Sequence, residues 1–209
     1  MGEKMMIWGR VNSINVMKVL WAAGELGLSY DRVDTGNEFG YAHVPDYIRM
    51  NPNRKIPTLR DGEIVLWESN VIVRYLAETY GRGILWPEST VLRWEAEKWM
   101  DWQQTALGKT LNIILYETVR KPPAERDLAA AEASRLELID IWEVLEAHMT
   151  GRSYILGDIF SMADIPLGCA VYRWYAYQIE RPASPNIEAW YERLQERPAF
   201  REHVMLPLS

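Results

Sequence analysis

The chain has 209 residues, 48% hydrophobic and 25% charged, with a formal net charge of −6. This is the composition of an ordinary soluble globular protein, long enough for one sizeable domain or two small ones, and its acidic balance argues against a general nucleic-acid binder. No apolar run approaches the roughly 20 residues that cross a bilayer, the N-terminal stretch lacks a signal-peptide core, and the single cysteine, Cys169, permits neither an internal disulfide nor a cysteine-only metal site.

Lys4 to Gly9 reads as a strand, with Met5, Met6, Ile7 and Trp8 as a buried apolar run. Ser13 is a good N-cap for a helix through about Leu26, with Gly27 as its stop. Leu28 to Asp34 is a second short strand, and a polar loop from Thr35 to Ala42 leads to a short helix at Pro45 to Met50. Ile56 to Arg60 and Ile64 to Trp67 flank Asp61-Gly62, the strongest hairpin signal in the chain. Ser69 to Thr79 is helical and ends at Gly81. The order β-α-β-α-β-β-α describes an α/β thioredoxin-like domain. Without a Cys-x-x-Cys motif, disulfide exchange by paired thiols is not open to it.

Gly81 to Pro87 breaks the pattern, dividing the chain into residues 1–82, a linker at 83–87 and an all-helical region at 88–209. Glu88 to about Val119 carries apolar residues near helical spacing, and Lys121-Pro122-Pro123 stops it. Ala124 to Met149 predicts a second long helix, closed by Thr150-Gly151 and antiparallel to the first. Ser161-Met162-Ala163-Asp164 is a helix start of structural importance, with Ser161 as cap and Asp164 three residues on. Cys169 follows in that helix as an inert buried thiol. Of ten tryptophans, Trp94, Trp99, Trp142 and Trp190 are expected in the core or an interface.

Two local features point to a binding site. Proline at 57 pushes Ile56 toward an extended conformation, and a cis bond there would turn the Ile56 main chain outward, free to pair with an extended ligand. Glu68 and Ser69 stand where a helix begins, and unpaired N–H groups with the positive dipole end attract a carboxylate. Together they describe a pocket for a short peptide with charged ends.

Four separated motifs, Asn12 to Val19, Asn51 to Leu59, Glu68-Ser69 and Gly157 to Asp164, occur in an order that resembles the glutathione S-transferase family over nearly the whole chain. The resemblance implies a thioredoxin-like domain followed by a helical one, a cytoplasmic homodimer, glutathione as co-substrate and no metal. It assigns Ile56 to backbone pairing with the cysteinyl part of glutathione, Pro57 as the cis proline, Glu68 to the γ-glutamyl ammonium and Ser69 to the γ-glutamyl carboxylate. Lys55 and His43 would face the glycine carboxylate. Family members turn the glutathione thiol, with a free pKa of about 8.5, into a thiolate, and lowering that value by about two units takes roughly 2.7 kcal/mol. The first loop lacks tyrosine and cysteine, which disfavours the tyrosine-type transferases and the cysteine-type branch. Ser13 matches the serine of the theta-like and plant phi-like classes and is the expected donor to sulfur, with Asn12 and Asn15 as alternatives. The same serine could instead serve only as the helix cap.

Arg54 departs from the family pattern, standing where many relatives carry glycine, and could add an anion contact or crowd the pocket. The electrophile site is expected between the first loop and the second domain, with Arg10, Val11, Trp102, Leu107, Tyr116 and Trp174 as candidates. An apolar, aromatic pocket there would favour hydrophobic electrophiles. Glutathione-dependent peroxide reduction, and a non-catalytic binding or regulatory protein on the same fold, are the competing functions. The zeta-type isomerases carry Ser-Ser-Cys in the first loop, which Asn12-Ser13-Ile14-Asn15 does not match.

Overall fold

A computed structural model describes residues 4–208. The first half is β1 (Met5–Trp8), α1 (Ile14–Glu25), β2 (Tyr30–Val33), α2 (Pro45–Met50), β3 (Thr58–Asp61), β4 (Ile64–Trp67) and α3 (Ser69–Tyr80). The sheet order is β2-β1-β3-β4, with β1 parallel to β2 and antiparallel to β3, and β3 antiparallel to β4. This is the expected thioredoxin-like arrangement. The hairpin turn sits one residue later than the sequence suggested: Asp61 pairs with Ile64, so Gly62 and Glu63 make the turn, Gly62 at φ 57°. Asp61 stays in the strand because its carboxylate accepts hydrogen bonds from the Tyr75 and Tyr80 hydroxyls of α3.

The second half is helical: α4 (Thr90–Trp102), α5 (Gly108–Leu115), α6 (Leu128–His148), α7 (Asp164–Ala176), α8 (Pro185–Gln195) and α9 (Pro198–His203). Ser89 caps α4 by accepting from the Leu92 N–H. The expected long helix from Glu88 to Val119 is interrupted twice, by π-helical turns at Gln103–Leu107 and Tyr116–Arg120. The second long helix starts four residues after Ala124, because Asp127 caps it through the Ala130 N–H (2.9 Å) while the Asp127 N–H donates to Glu117 (2.7 Å). Trp99, Trp142 and Trp190 are buried, but Trp94 is 65% exposed, on a face of α4 that also carries Val91.

The two halves share one core, in which α7 packs against α1. Gly168 permits that approach, since a Cβ there would lie 2.6 Å from the Trp21 ring and 2.9 Å from Leu194. Asp164 fastens the start of α7. It is fully buried and accepts from the N–H groups of Ile155 (3.1 Å) and Ser161 (2.9 Å) and from Trp190 Nε1 (3.0 Å). Ser161 completes the cap by accepting from the Ala163 N–H at 3.3 Å. Cys169 is buried on the same helix, and burial pushes its thiol pKa up to about 12, as befits an inert packing residue.

Candidate active site

A cavity of about 280 Å³ lies where the β1–α1 loop, the Lys55–Pro57 segment, the β4–α3 junction and the π turn at Tyr116–Arg120 converge. Ser13, Lys55, Ile56, Pro57, Glu68 and Ser69 all line it.

Ser13 precedes α1 with extended backbone, φ −81° and ψ 125°. Its carbonyl accepts from the N–H groups of Val16 (2.9 Å) and Met17 (2.8 Å), so the main chain closes the first turn. The hydroxyl makes no capping bond, contrary to the side-chain cap expected from sequence. It is left beside the positive end of α1, facing the cavity wall.

The Lys55–Pro57 segment is fixed from beneath by Asn51 and Thr58, both within the motif from Asn51 to Leu59, and by Tyr47, which lies outside it. Asn51, buried, donates to the Lys55 carbonyl (2.8 Å) and to Thr58 Oγ1 (3.0 Å) and accepts from the Asn53 N–H (3.1 Å). The Tyr47 hydroxyl also donates to the Lys55 carbonyl, and Thr58 Oγ1 donates to Tyr47 at 2.9 Å. Ile56–Pro57 is cis. Arg54 is exposed and does not line the cavity; its distinctive feature is a left-handed backbone at φ 55°, a conformation that glycine adopts without the steric cost of a side chain.

Glu68 turns the chain from β4 into α3 at φ 70°, a left-handed conformation costly for a side chain of this size. No side chain caps α3, so its first N–H groups face the cavity end occupied by Ser69. Ser69 is buried and donates to Asn15 Oδ1 at 3.3 Å. A second cavity of about 230 Å³ shares Asn15, Glu68 and Ser69 and continues between α1 and the π turn at Gln103–Leu107. Lys18 sits at its base, fully buried, donating to Asn70 Oδ1 (3.2 Å) and Gln103 Oε1 (2.9 Å); burial lowers its pKa to about 8.

The rest of the first cavity's lining includes cationic and polar groups where an apolar, aromatic lining was expected. Arg10, Tyr116 and Arg120 line it, with the Arg120 guanidinium 4.9 Å from the centre of the Tyr116 ring. Arg120 escaped the sequence reading because its π turn breaks the helical spacing that would have placed it.

The remaining candidates scatter. Val11 is 39% exposed, beyond the lining, and Asn12 acts through its Oδ1, which accepts from Arg10 at 2.5 Å. His43 is exposed in its loop and outside the cavity. Leu107 is core, Trp174 is buried against Trp142 (ring centroids 6.1 Å apart), and Trp102 packs on Trp99 (5.0 Å). None of the three lines this cavity. Among the described residues, no group of three or more His, Cys, Asp or Glu could hold a metal ion.

Residues 3–78 match the family model of the glutathione S-transferase N-terminal domain, and residues 129–193 that of the C-terminal domain. The chain is 44% identical to glutathione S-transferase GstB of Escherichia coli K12 over 205 residues, 97% of this chain and 99% of that protein. It is 30% identical to glutathione S-transferase 3 of Zea mays over 207 residues, 95% and 92% of the two chains. Among solved structures it resembles the theta class glutathione S-transferase of Xanthomonas axonopodis pv. citri with glutathione bound, at a TM-score of 0.95, 41% identity and 99% coverage of both chains. By sequence along almost its full length and by fold, the chain belongs to the glutathione S-transferase family.

Proposed function

We propose that the protein binds glutathione in the first cavity and transfers it, as the thiolate, to an electrophile, with Ser13 donating a hydrogen bond to the sulfur. The observation that carries this reading is the Ser13 hydroxyl, unused as a cap and set in a cavity with cis-Pro57 and the open N-terminus of α3. The Ile56 main chain would pair with the cysteinyl unit and Lys55 with the glycine carboxylate. Glu68 would take the γ-glutamyl ammonium, and Ser69 with the first N–H groups of α3 the γ-glutamyl carboxylate. His43, outside the cavity, has no part in this arrangement. In the reaction the thiol proton leaves to solvent and sulfur forms a bond to the electrophilic carbon; in a displacement that carbon's leaving group departs with the electron pair, and in an addition the π pair shifts to the neighbouring atom, which takes up a proton from solvent. Any apolar part of the electrophile would lie on Val11 and the Tyr116 ring at the mouth, both substantially exposed.

A charge-assisted hydrogen bond of about 1.5–3 kcal/mol corresponds to one to two pKa units on the thiol. Ultraviolet titration of bound glutathione checks this. The wild type should show a thiol pKa well below the free value, and Ser13→Ala should raise it by about one to two units with glutathione affinity nearly retained. An unchanged pKa in the variant would move the donor to Asn12 or Asn15.

We also propose a cytoplasmic homodimer. Its support is the apolar surface of Ile84, Val91 and Trp94, exposed by 53%, 78% and 65%. Light scattering reads the assembly directly, and a monomer at micromolar concentration would reject it.

A further inference from the structure

The cations on the Tyr116 side of the cavity exceed what glutathione requires. In the proposed arrangement its two carboxylates meet Lys55 and the N-terminus of α3, and its ammonium meets Glu68, so neither Arg10 nor Arg120 is needed to hold it. Arg10 is only 6% exposed, and neutral groups hold it. Asn12 Oδ1 accepts from Arg10 Nη1 at 2.5 Å, and the Asn37 amide, turned oxygen-first, accepts from Nη2 at 3.1 Å. Arg173 on α7 is still more enclosed, bonded to Asn112 Oδ1 at 3.1 Å, and its buried Nε has no hydrogen-bond partner. Among the described residues, neither Arg10 nor Arg173 forms an ion pair with a carboxylate. After the larger effect of burial, the charge of Arg120 lowers the pKa of both, and Arg10 lowers that of Arg173, so the three guanidiniums form one field. Glu38 opposes it at Arg10, without ion-pair contact. Buried like charges held by neutral amides are costly, and an anion is what relieves the cost.

We infer that the second substrate carries a small anionic group, a carboxylate in the simplest case, and that Arg10 and Arg120 form its subsite beside Ser13. This rests on the transferase reading of the same cavity. A planar guanidinium fork matches a carboxylate through paired N–H donors, which a lysine would not do equally well. The Tyr116 ring beneath Arg120 gives the body of such a substrate an aromatic surface next to its charged group.

The test uses two synthetic conjugates that differ only in charge, S-(4-carboxy-2-nitrophenyl)glutathione and its 4-carboxamide, with binding measured by calorimetry on the whole protein. The carboxylate should bind at least about tenfold more tightly, the scale of one charge-assisted bond. Arg120→Gln should bring the ratio close to one, and Arg120→Lys should restore part of it. The matching aryl chlorides should show the same preference in kcat/KM; there the carbon–sulfur bond forms, the carbon–chlorine bond breaks, and chloride leaves with the electron pair while the thiol proton goes to solvent. Equal affinities in the wild type would overturn the inference and assign the arginines to the sulfur alone. A preference that survives in Arg120→Gln would overturn the subsite, as would failure of both conjugates to bind a protein that binds glutathione. Failure to bind glutathione itself would instead bring down the proposed function, and this inference with it.

Discussion

Replacing Asp164 with asparagine tests how the start of α7 is held. Each carboxylate oxygen accepts two hydrogen bonds, Oδ1 from the Ile155 N–H and Trp190 Nε1, Oδ2 from the Ser161 N–H and Oγ. Asparagine keeps the shape but turns an NH2 toward one of these donor pairs, whichever way the amide faces. With the NH2 turned toward Ser161 the hydroxyl can rotate to accept from it, and the Ser161 N–H alone loses its acceptor, so Asp164→Asn should cost about 1–3 kcal/mol. The cost should also depend on pH. Burial raises the Asp164 pKa from 3.8 to about 6, against the pull of its hydrogen bonds. Between those values the folded protein holds a proton that the unfolded chain has lost, so this group's contribution falls as pH rises through the window and is largest at its acid end. At 1.36 kcal/mol per unit, the wild type gains about 1.4 kcal/mol at about pH 5 over pH 7.5, and asparagine, which has no such proton, gains nothing. Urea unfolding followed by tryptophan fluorescence at the two pH values measures both variants. A cost below about 1 kcal/mol would refute the orphaned-donor account, and a cost that shrinks toward pH 5 would show that hydrogen bonds, not burial, set this pKa.

Three more substitutions probe the frame of the site. Lys18→Met should remove a pH effect of opposite sign: with its pKa lowered to about 8, the unfolded chain binds the proton above that value, so wild-type stability rises relative to the variant by about 2.5 kcal/mol between about pH 7 and pH 10, read by urea unfolding. Asn51→Ala removes three hydrogen bonds beneath Lys55, one buried and two half-buried, and should lower stability by about 2–4 kcal/mol while raising the KM for glutathione more than it changes kcat. Arg54→Gly should stabilise by about 0.5–1 kcal/mol, because relief of a left-handed side-chain residue outweighs the extra chain entropy of glycine; thermal unfolding gives the sign.

The first half was legible because its signals are local. The alternation into β3 and β4, the turn chemistry at Gly62 and the helix start at Ser69 each lie within a few residues, and the elements formed within a residue or two of their expected places. The cap at Ser161 and Asp164 was readable for the same reason. Leu107 and Trp174 were poor candidates because hydrophobic periodicity identifies a buried face without saying whether it borders a core or a cavity. Arg120 and Arg173 could not be found this way: they come from elements far from Arg10 in sequence and meet it only through tertiary packing. Asn51 lay inside a recognised motif, but its bonds to the Lys55 carbonyl and to Thr58 Oγ1 depend on how the loop folds back, which spacing along the chain does not reveal.

What the sequence spacing failed to foresee has a common location. Glu68 and Arg54 adopt left-handed backbones at φ 70° and 55°, and the long helix after Thr90 gives way to π turns at Gln103–Leu107 and Tyr116–Arg120. Glu68, Gln103, Tyr116 and Arg120 line one or both cavities, and Arg54 adjoins the lining residue Lys55. A π turn adds a residue to the helical repeat and so re-aims the side chains after it, here bringing Tyr116 and Arg120 into the lining of the first cavity. Left-handed side chains persist only where the surroundings over-determine them, as the bonds of Asn51 and Tyr47 to the Lys55 carbonyl do next to Arg54. The regular elements thus supply a scaffold that local propensity can specify. The irregular ones bring charged side chains into the cavity that Ser13 lines, so the charge of that cavity is a property of these few deviations rather than of the fold.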